Sequence, residues 1–138
     1  MSNVALADRV GLSPAPCLRR VRTLEEAGII RKYVTLINPK AVDLAVIAWT
    51  QVRLDLQVAQ RFSNFERNIR RWREVPACYL MAGEADYLVR VVVPDVSAYE
   101  QFLSNWLSRT EGVVSTNSSF VLKVVKYSTA LPIKLARN

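Results

Sequence analysis

Residues 4–30 constrain the fold of this chain most, because they are typical of two short helices joined by a tight glycine turn. Ser2 is placed to cap the first helix, and Gly11 can take the positive φ that a sharp exit from a helix requires. One face of this first helix carries Leu6, Ala7 and Val10. The stretch is therefore a predicted helix-turn-helix.

Ser13 is the predicted N-cap of the second helix, and Pro14 follows at the first helical position, where a missing N–H costs nothing. Pro16 is tolerated there for the same reason. Since the amide of residue 16 is absent, we expect the Ser13 hydroxyl to accept a hydrogen bond from the amide of Ala15.

The second helix has two different faces at about 100° per residue. Its apolar or small face carries Cys17, Val21, Leu24 and Gly28. The opposite face carries Ala15, Arg19, Arg22, Thr23 and Glu26. Slim residues near the start with arginines behind them suit a helix that enters the major groove of DNA. A surface helix with a solvated charged face has the same pattern, so the periodicity alone leaves both interpretations open.

Charge and composition exclude several classes of function. The net charge is +7 and the sequence pI is about 9.9, and residues 1–40 alone carry seven Lys and Arg against three Asp and Glu. Histidine is absent and only four glycines occur, which disfavours catalysis, most zinc sites and a phosphate-binding glycine loop. We therefore expect a protein that is not an enzyme and needs no cofactor or metal. No apolar run reaches the about 18 residues of a membrane span, and we expect a cytoplasmic protein whose Cys17 and Cys78 are reduced packing residues.

The segment after the second helix predicts a short strand from about Tyr33 to Ile37, halted by Asn38 and Pro39. Arg31 and Lys32 precede it. These two are candidates for contacts with phosphate, and a solvated basic turn is the alternative.

Residues 45 to about 127 predict the order strand, helix, strand, strand, helix, strand, which is that of the ferredoxin-like fold. Alternation marks the strands, and apolar residues at spacings of three and four mark a helix from Val58 to Trp72. A capping box of Ser97 and Glu100 is predicted to begin the second helix. Its inward residues are predicted to be Tyr99, Phe102, Leu103, Trp106 and Leu107. The fold class is α+β.

The sheet is predicted to have helices on one face only. Its other face would carry Ile47 and Trp49 and part of the run LVRVVV, which is too apolar to remain in water. We therefore expect that face to pack against a second copy of the chain, so that a dimer is the smallest assembly.

Arginines also recur on the outer face of the first of these two helices, which Pro76 is predicted to end: Arg61, Arg67, Arg70, Arg71 and Arg73. This basic band is compatible with a second nucleic-acid site. A solvated face is the interpretation that the sequence favours, because any surface helix has charges opposite its apolar stripe.

Three segments, SPAPCLRRVRTLEEAGII, AGEADYLVRV and PDVSAYEQFL, in this order and with INPKAV between the first two, resemble the Lrp/AsnC family of feast/famine transcription regulators along essentially the whole chain. The resemblance implies a winged helix-turn-helix in residues 1–36, a hinge in 37–44 and a ferredoxin-like ligand-binding and oligomerisation domain in 45–138. It also implies dimers that often form octamers, and amino-acid effectors bound between subunits near the hairpin.

The family's recognition helix implies DNA-binding roles for particular positions of this chain. The matching residues are Ser13, Ala15, Pro16, Arg19 and Arg22, with Arg20 beside them. The effector-pocket hairpin of the family is matched by Gly83, Asp86 and Tyr87. Glu84 stands where many members have aspartate, which leaves the identity of the effector open.

Thr116 and Ser118 on the last strand are weaker effector candidates, chosen because hydroxyls can bond an amino-acid carboxylate or ammonium. A role in the core or at an interface is the alternative that we favour for both.

Family members usually begin about twenty residues earlier, with a helix that buttresses the other two. We expect that helix to be missing here, which would leave apolar residues without cover: Leu6, Val10, Val21 and Leu24. Double-stranded DNA, an amino-acid-like effector and further copies of the chain are the expected partners of a sequence-specific regulator. The alternatives are a stand-alone effector-binding module that has lost DNA binding and, on fold analogy alone, a small enzyme.

Overall fold

A computed structural model describes residues 1–56 and 58–133, without the side chains of Leu107 and Ser108. The chain divides into two compact units, Met1–Ile37 and Asn38–Asn138. The predicted inward position of Leu107 and the last five residues of the predicted second domain lie outside what the structure describes.

The first unit consists of α1 (Asn3–Arg9) and α2 (Pro14–Glu26), so the two predicted helices are confirmed. The amide of Ala5 donates to the Ser2 hydroxyl at 3.2 Å, and Gly11 joins the helices with φ +65°. Between the helices, Ala7 and Cys17 are buried.

The predicted side-chain cap of α2 is wrong. Ser13 is the N-cap by its backbone, but its hydroxyl makes no capping hydrogen bond. With prolines at the first and third helical positions, Ala15 has the only amide in that stretch, so a single weak hydroxyl bond is all that could form. The chain is tied there instead by the Asn3 amide group, which donates to the carbonyl of Pro14 at 2.9 Å.

The predicted strand at Tyr33–Ile37 is also wrong, because residues 31–38 form no strand in the structure. A strand exists only as part of a ladder, and no segment among the described residues pairs with this one. The hydroxyl of Tyr33 donates to Glu25 at 2.6 Å, which ties the segment back to α2. This bond raises the pKa of Tyr33.

The second unit begins with a short 3₁₀ helix at Pro39–Val42, and its described residues continue with four strands and two helices. These are β1 (Val46–Leu54), α3 (Ala59–Ile69), β2 (Ala77–Leu80), β3 (Tyr87–Val93), α4 (Val96–Arg109) and β4 (Val113–Phe120). The predicted order of elements is confirmed, and the fold is α+β.

The strands form one antiparallel sheet in the order β2-β3-β1-β4. Ala48, Val52, Val89 and Val91 share one sheet face and one core with side chains of both helices, chiefly Phe65 and Trp106. The two helices therefore cover one face of the sheet, and the other face carries Ile47 and Trp49, as predicted.

The last strand is shorter than predicted, and a register shift interrupts its alternation. β4 ends at Phe120 rather than near residue 127, since Val121, whose amide donates to the carbonyl of Ile47, is the last residue bonded to β1. At the start of β4, a register shift between Arg53 and Leu54 of the neighbouring β1 changes which β4 residue faces the core. Val113 packs against the core and Val114 is 63% exposed.

The capping box predicted for α4 is wrong as well. The carboxylate of Asp95 accepts from the amide of Ala98 at 2.7 Å, which makes Asp95 the capping residue and places Ser97 inside the helix. Aspartate is as good an N-cap residue as serine. In this helix Asp95 stands two residues before Ser97.

Candidate nucleic-acid and ligand sites

The outer face of α2 is an open surface of small and cationic residues. It is lined by Ala15, Leu18, Arg19, Arg22, Thr23 and Glu26. Arg19 and Arg22 are both exposed, and no ion pair found among the described residues holds either of them. Their guanidinium groups are therefore available to an anionic ligand.

All six predicted DNA-binding residues lie on α2 or its cap. Pro16 is half-buried and the other five are exposed. Glu26 is the acidic residue of this surface, one turn beyond Arg22, and the first turn of the helix carries no acidic residue. The positive end of the helix dipole and the arginines therefore act in the same direction on a phosphate.

Apolar side chains elsewhere in the first unit are unevenly covered. Leu6 and Val21 are half-buried, whereas Val10 is 54% and Leu24 39% exposed. The first unit thus keeps part of its apolar surface in contact with water.

The hairpin between β2 and β3 contains the other group of predicted site residues and divides them into two pairs. Gly83 and Glu84 are exposed at its tip, whereas Asp86 and Tyr87 are buried at its base. The tip residues are thus accessible to a ligand, whereas the base residues are buried within the fold.

Asp86 fixes the base of the hairpin to the central strand. Its carboxylate accepts from the amide of Leu54 at 2.8 Å, and its own amide donates to the carbonyl of Val52 at 3.0 Å. The amide of Met81 donates to its carbonyl at 2.9 Å, which closes the hairpin. This side chain therefore satisfies the backbone at the register shift of β1.

Tyr87 connects the hairpin to α3. Its hydroxyl donates to Glu66 at 3.0 Å, and its ring stacks on Phe65 with centroids 4.3 Å apart. Burial, together with this bond to a carboxylate, raises the pKa of Tyr87 well above its usual range. The phenol consequently acts as a neutral donor that orients Glu66.

A cleft of about 390 Å³ lies beside the hairpin, and the sequence did not predict it. Its charged residues are Glu66 and Arg70, whose charged groups are 4.0 Å apart. Its apolar lining includes Ile69, Val75 and Leu80. The spacing of Glu66 and Arg70, four residues on a helix, was the one available signal, but it is common on any surface helix.

Cys78 also lines this cleft. Burial, and secondarily the charge of Glu66, raises the pKa of its thiol to about 11. Cys78 is thus a neutral polar group at neutral pH.

Thr116 and Ser118 lie on the helix-covered side of β4 and are half-buried. Ser118 belongs to a hydroxyl cluster with Thr50 and Tyr99: its hydroxyl donates to Thr50 at 3.2 Å, and Thr50 and Tyr99 are 2.9 Å apart. Ser118 also hydrogen-bonds directly to Tyr99. Its hydrogen-bonding capacity is therefore engaged within the core.

The described residues contain neither a membrane-spanning helix nor a group of metal ligands. Over residues 1–56 and 58–133, no helix has the length and apolar character needed to cross a membrane. Within the same ranges, His, Cys, Asp and Glu form no group of three that could hold a metal ion.

Comparison with known proteins assigns both units. Residues 47–131 match the family described as Lrp/AsnC ligand binding domain, and residues 1–31 match winged helix-turn-helix DNA-binding. The leucine-responsive regulatory protein of Escherichia coli K12 is 40% identical over 134 residues, which cover 97% of this chain and 82% of that protein.

Solved structures agree with these matches. A transcriptional regulator of Neisseria meningitidis in complex with L-Met is 40% identical with a TM-score of 0.90, over 96% of this chain and 85% of that one. The feast or famine regulatory protein of M. tuberculosis complexed with L-methionine is 30% identical with a TM-score of 0.79, over 94% and 86%.

Proposed function

This chain belongs to the Lrp/AsnC family of transcriptional regulators, and on that premise we propose that it reads specific DNA sequences through α2 and responds to a small amino-acid-like effector. The observation that supports DNA reading is the exposed α2 surface. There Arg19 and Arg22 stand behind Ala15 without a carboxylate partner among the described ion pairs. We place the protein in the cytoplasm, where it binds rather than catalyses.

The proposed division of labour on α2 follows from side-chain size and position. The small residues Ser13, Ala15 and Pro16 allow close approach to base edges, while Arg19 and Arg22 reach guanine edges or phosphates. Arg20, beside them, contacts the backbone and adds affinity without sequence information.

A binding titration tests this proposal. Duplexes selected by the wild-type protein from a random pool serve as the probe, and random duplex is the competitor. Arg19→Ala and Arg22→Ala are each expected to weaken the selected duplex about 5- to 150-fold, since a good base contact contributes roughly 1–3 kcal/mol.

Lys123→Ala and Lys126→Ala are the matched controls, because they remove the same charge from exposed positions outside α2. Wild-type affinity in both arginine variants at low salt would contradict the assignment. A wild-type protein without any affinity for duplex would instead favour a stand-alone effector-binding module.

We propose that the effector binds at the hairpin and its cleft. Two similar regulators were solved with L-methionine, which has an ammonium, a carboxylate and an apolar side chain. The cleft offers a complement to each group: Glu66 for the ammonium, Arg70 for the carboxylate, and the apolar lining around Ile69 for the side chain. Tyr87 lines this cleft, Gly83 and Glu84 are exposed at the hairpin tip, Asp86 fixes the hairpin base, and Thr116 and Ser118 are weaker candidates.

Thermal-shift screening against the twenty amino acids, with the mass of each liganded form measured in parallel, tests the effector proposal. Glu66→Gln and Arg70→Gln are expected to abolish the shift produced by the best ligand. Arg67→Gln, which removes a charge from the same helix outside the cleft, should retain it. A ligand whose shift survives both cleft variants would place the site elsewhere.

A dimer through the open sheet face completes the proposal. An effector bound between subunits would change the assembly, or the spacing of the DNA half-sites, only if it binds two arrangements of the subunits with different affinities. Dimers would associate further into higher assemblies, such as a tetramer of dimers.

A further inference from the structure

Four arginines of the second unit form a cationic surface that we name the arginine patch: Arg67, Arg71, Arg73 and Arg109. The first lies on the last turns of α3, and the next two lie in the turn that follows. Arg109 ends α4 and joins them through Trp72, because its guanidinium carbon lies 6.0 Å from the centroid of that ring. All four side chains belong to exposed residues.

The neighbouring arginines differ, since each lies within 4.0 Å of a carboxylate. Arg61 pairs with Asp55 at 2.9 Å and with Glu111 at 3.7 Å, and Arg70 faces Glu66. None of the ion pairs described for residues 1–56 and 58–133 includes a member of the arginine patch. Its one described polar contact is neutral: Arg67 donates to the side-chain oxygen of Asn64 at 3.3 Å.

The chemistry of the arginine patch fits an anionic polymer. Every cation in it is a guanidinium, a planar fork that binds phosphate oxygens with two hydrogen bonds. Arg67, Arg71 and Arg73 lie within seven residues of sequence, at the end of α3 and in the turn that follows it. Several phosphates in a row would engage such a surface better than a single anion.

The arrangement favours a duplex over a single strand. Single-stranded nucleic acids are bound by aromatic side chains on which bases stack. The aromatic residue of this surface, Trp72, is half-buried, packs edge-on against Phe102 at 5.6 Å and lies under Arg109. It is therefore part of the core rather than a platform for bases.

We propose that the arginine patch is a second DNA contact, through which the ligand-binding unit holds the phosphate backbone of duplex DNA without reading its sequence. The contact goes beyond the proposed function, because α2 accounts for sequence preference and the patch would add affinity that depends on duplex length and salt. Since it is linked covalently to the helix-turn-helix, even a weak contact raises the overall affinity through effective concentration.

Fluorescence anisotropy with the full chain tests this. The patch variant is the triple substitution Arg67→Gln, Arg71→Gln and Arg73→Gln. The control is Lys40→Gln, Lys123→Gln and Lys126→Gln, which removes three charges from other exposed positions. The probes are a random duplex of roughly two helical turns, about 20 base pairs, and one of about 150 base pairs.

On the long duplex, the patch variant is expected to bind at least about tenfold more weakly than the control. Its salt slope should be shallower by roughly 0.9 for each phosphate that the variant no longer neutralises. On selected duplexes it should keep its sequence preference, whereas Arg19→Ala loses that preference. The experiment therefore distinguishes a failure of the arginine-patch proposal from a failure of the α2 assignment.

Equal affinities and equal salt slopes for the two triple variants would overturn the proposal. So would unchanged DNA binding combined with a specific loss of binding to vesicles that contain an anionic phospholipid. Circular dichroism checks that the patch variant folds, and the single variant Arg67→Gln, at the exposed helix position, repeats the test if it does not.

Discussion

Asp86 is the residue at which the hairpin and the central strand meet. Its buried carboxylate accepts from the Leu54 amide, next to the register shift that turns Val113 inward and Val114 outward. The sequence motif GEADYL predicted that this residue belongs to a site near the hairpin. It did not predict the bond to Leu54, because a contact between residues 32 positions apart depends on strand register rather than on local pattern.

Removal of this carboxylate should destabilise the second unit. Asp86→Ala leaves the buried Leu54 amide without its acceptor, and we expect the free energy of unfolding to fall by about 1–3 kcal/mol. Asp86→Asn keeps an acceptor of the same shape and should cost less than half of that. Urea denaturation measures both, and equal stability of Asp86→Ala and wild type would show that the bond contributes nothing.

Cys78 should react slowly with alkylating agents at neutral pH. Burial and the Glu66 charge raise the pKa of its thiol to about 11 from an ordinary value of 9.0, so the folded protein holds the proton more tightly than the unfolded chain. The resulting stability is complete below about pH 9 and is lost as pH rises through about 11.

Iodoacetamide labelling, located by mass spectrometry, measures this effect. The alkylation rate of Cys78 should rise close to tenfold per pH unit between pH 7 and pH 10, because the thiolate is the reactive form. A rate that levels off near pH 8 would contradict the raised pKa. Unfolded protein in urea is the reference for an ordinary thiol.

At the scale of elements, local patterns located the helices and strands but not all of their ends. Spacings of three and four predicted α3, and alternation predicted β1, because both record which side chains face the core. The segment Tyr33–Ile37 also alternates and forms no strand, since pairing requires a second segment that no local pattern specifies. The same limit explains the end of β4 at Phe120.

The start of α4 offers a direct test of which residue caps a helix. Asp95→Ala removes the acceptor of the Ala98 amide and should lower the free energy of unfolding by about 1 kcal/mol. Ser97→Ala, at the position that the capping-box pattern favoured, should change it by less than about 0.5 kcal/mol, as for a surface substitution. Larger destabilisation by Ser97→Ala than by Asp95→Ala would restore the capping-box prediction.

At the scale of the whole molecule, the effector site draws on both local and distant residues. The hairpin was predictable, since a motif of six residues contains it. The cleft was not, because Glu66 and Arg70 reach it from α3 and Val75 from the connection to β2. Arg109 approaches Trp72 across 37 positions of sequence for the same reason. Tertiary packing creates the cleft and brings Arg109 to Trp72, whereas the sequence pattern already grouped Arg67, Arg71 and Arg73 in one basic band.

The sheet face opposite the two helices carries several apolar side chains of the second unit. Ile47 and Trp49 on β1 lie on the same face as Val92 and Tyr79, and the rings of Trp49 and Tyr79 stack with centroids 6.4 Å apart. Tyr79 is 52% exposed. Large aromatic side chains at the centre of such a face are typical of the residues that dominate an interface.

Trp49→Lys should therefore separate the copies of the chain. Placing a lysine beside Arg90, the residue opposite Trp49 on β3, and removing an indole should weaken association by roughly 2 kcal/mol or more, which is about thirtyfold in the dissociation constant. Sedimentation velocity over a dilution series measures the mass. Val96→Lys, which adds the same charge to an exposed valine on α4, is the control and should sediment as wild type. If Trp49→Lys retains the wild-type mass at every concentration while remaining folded by circular dichroism, the sheet face is not the contact, and the apolar surface of the first unit around Val10 and Leu24 becomes the next surface to test.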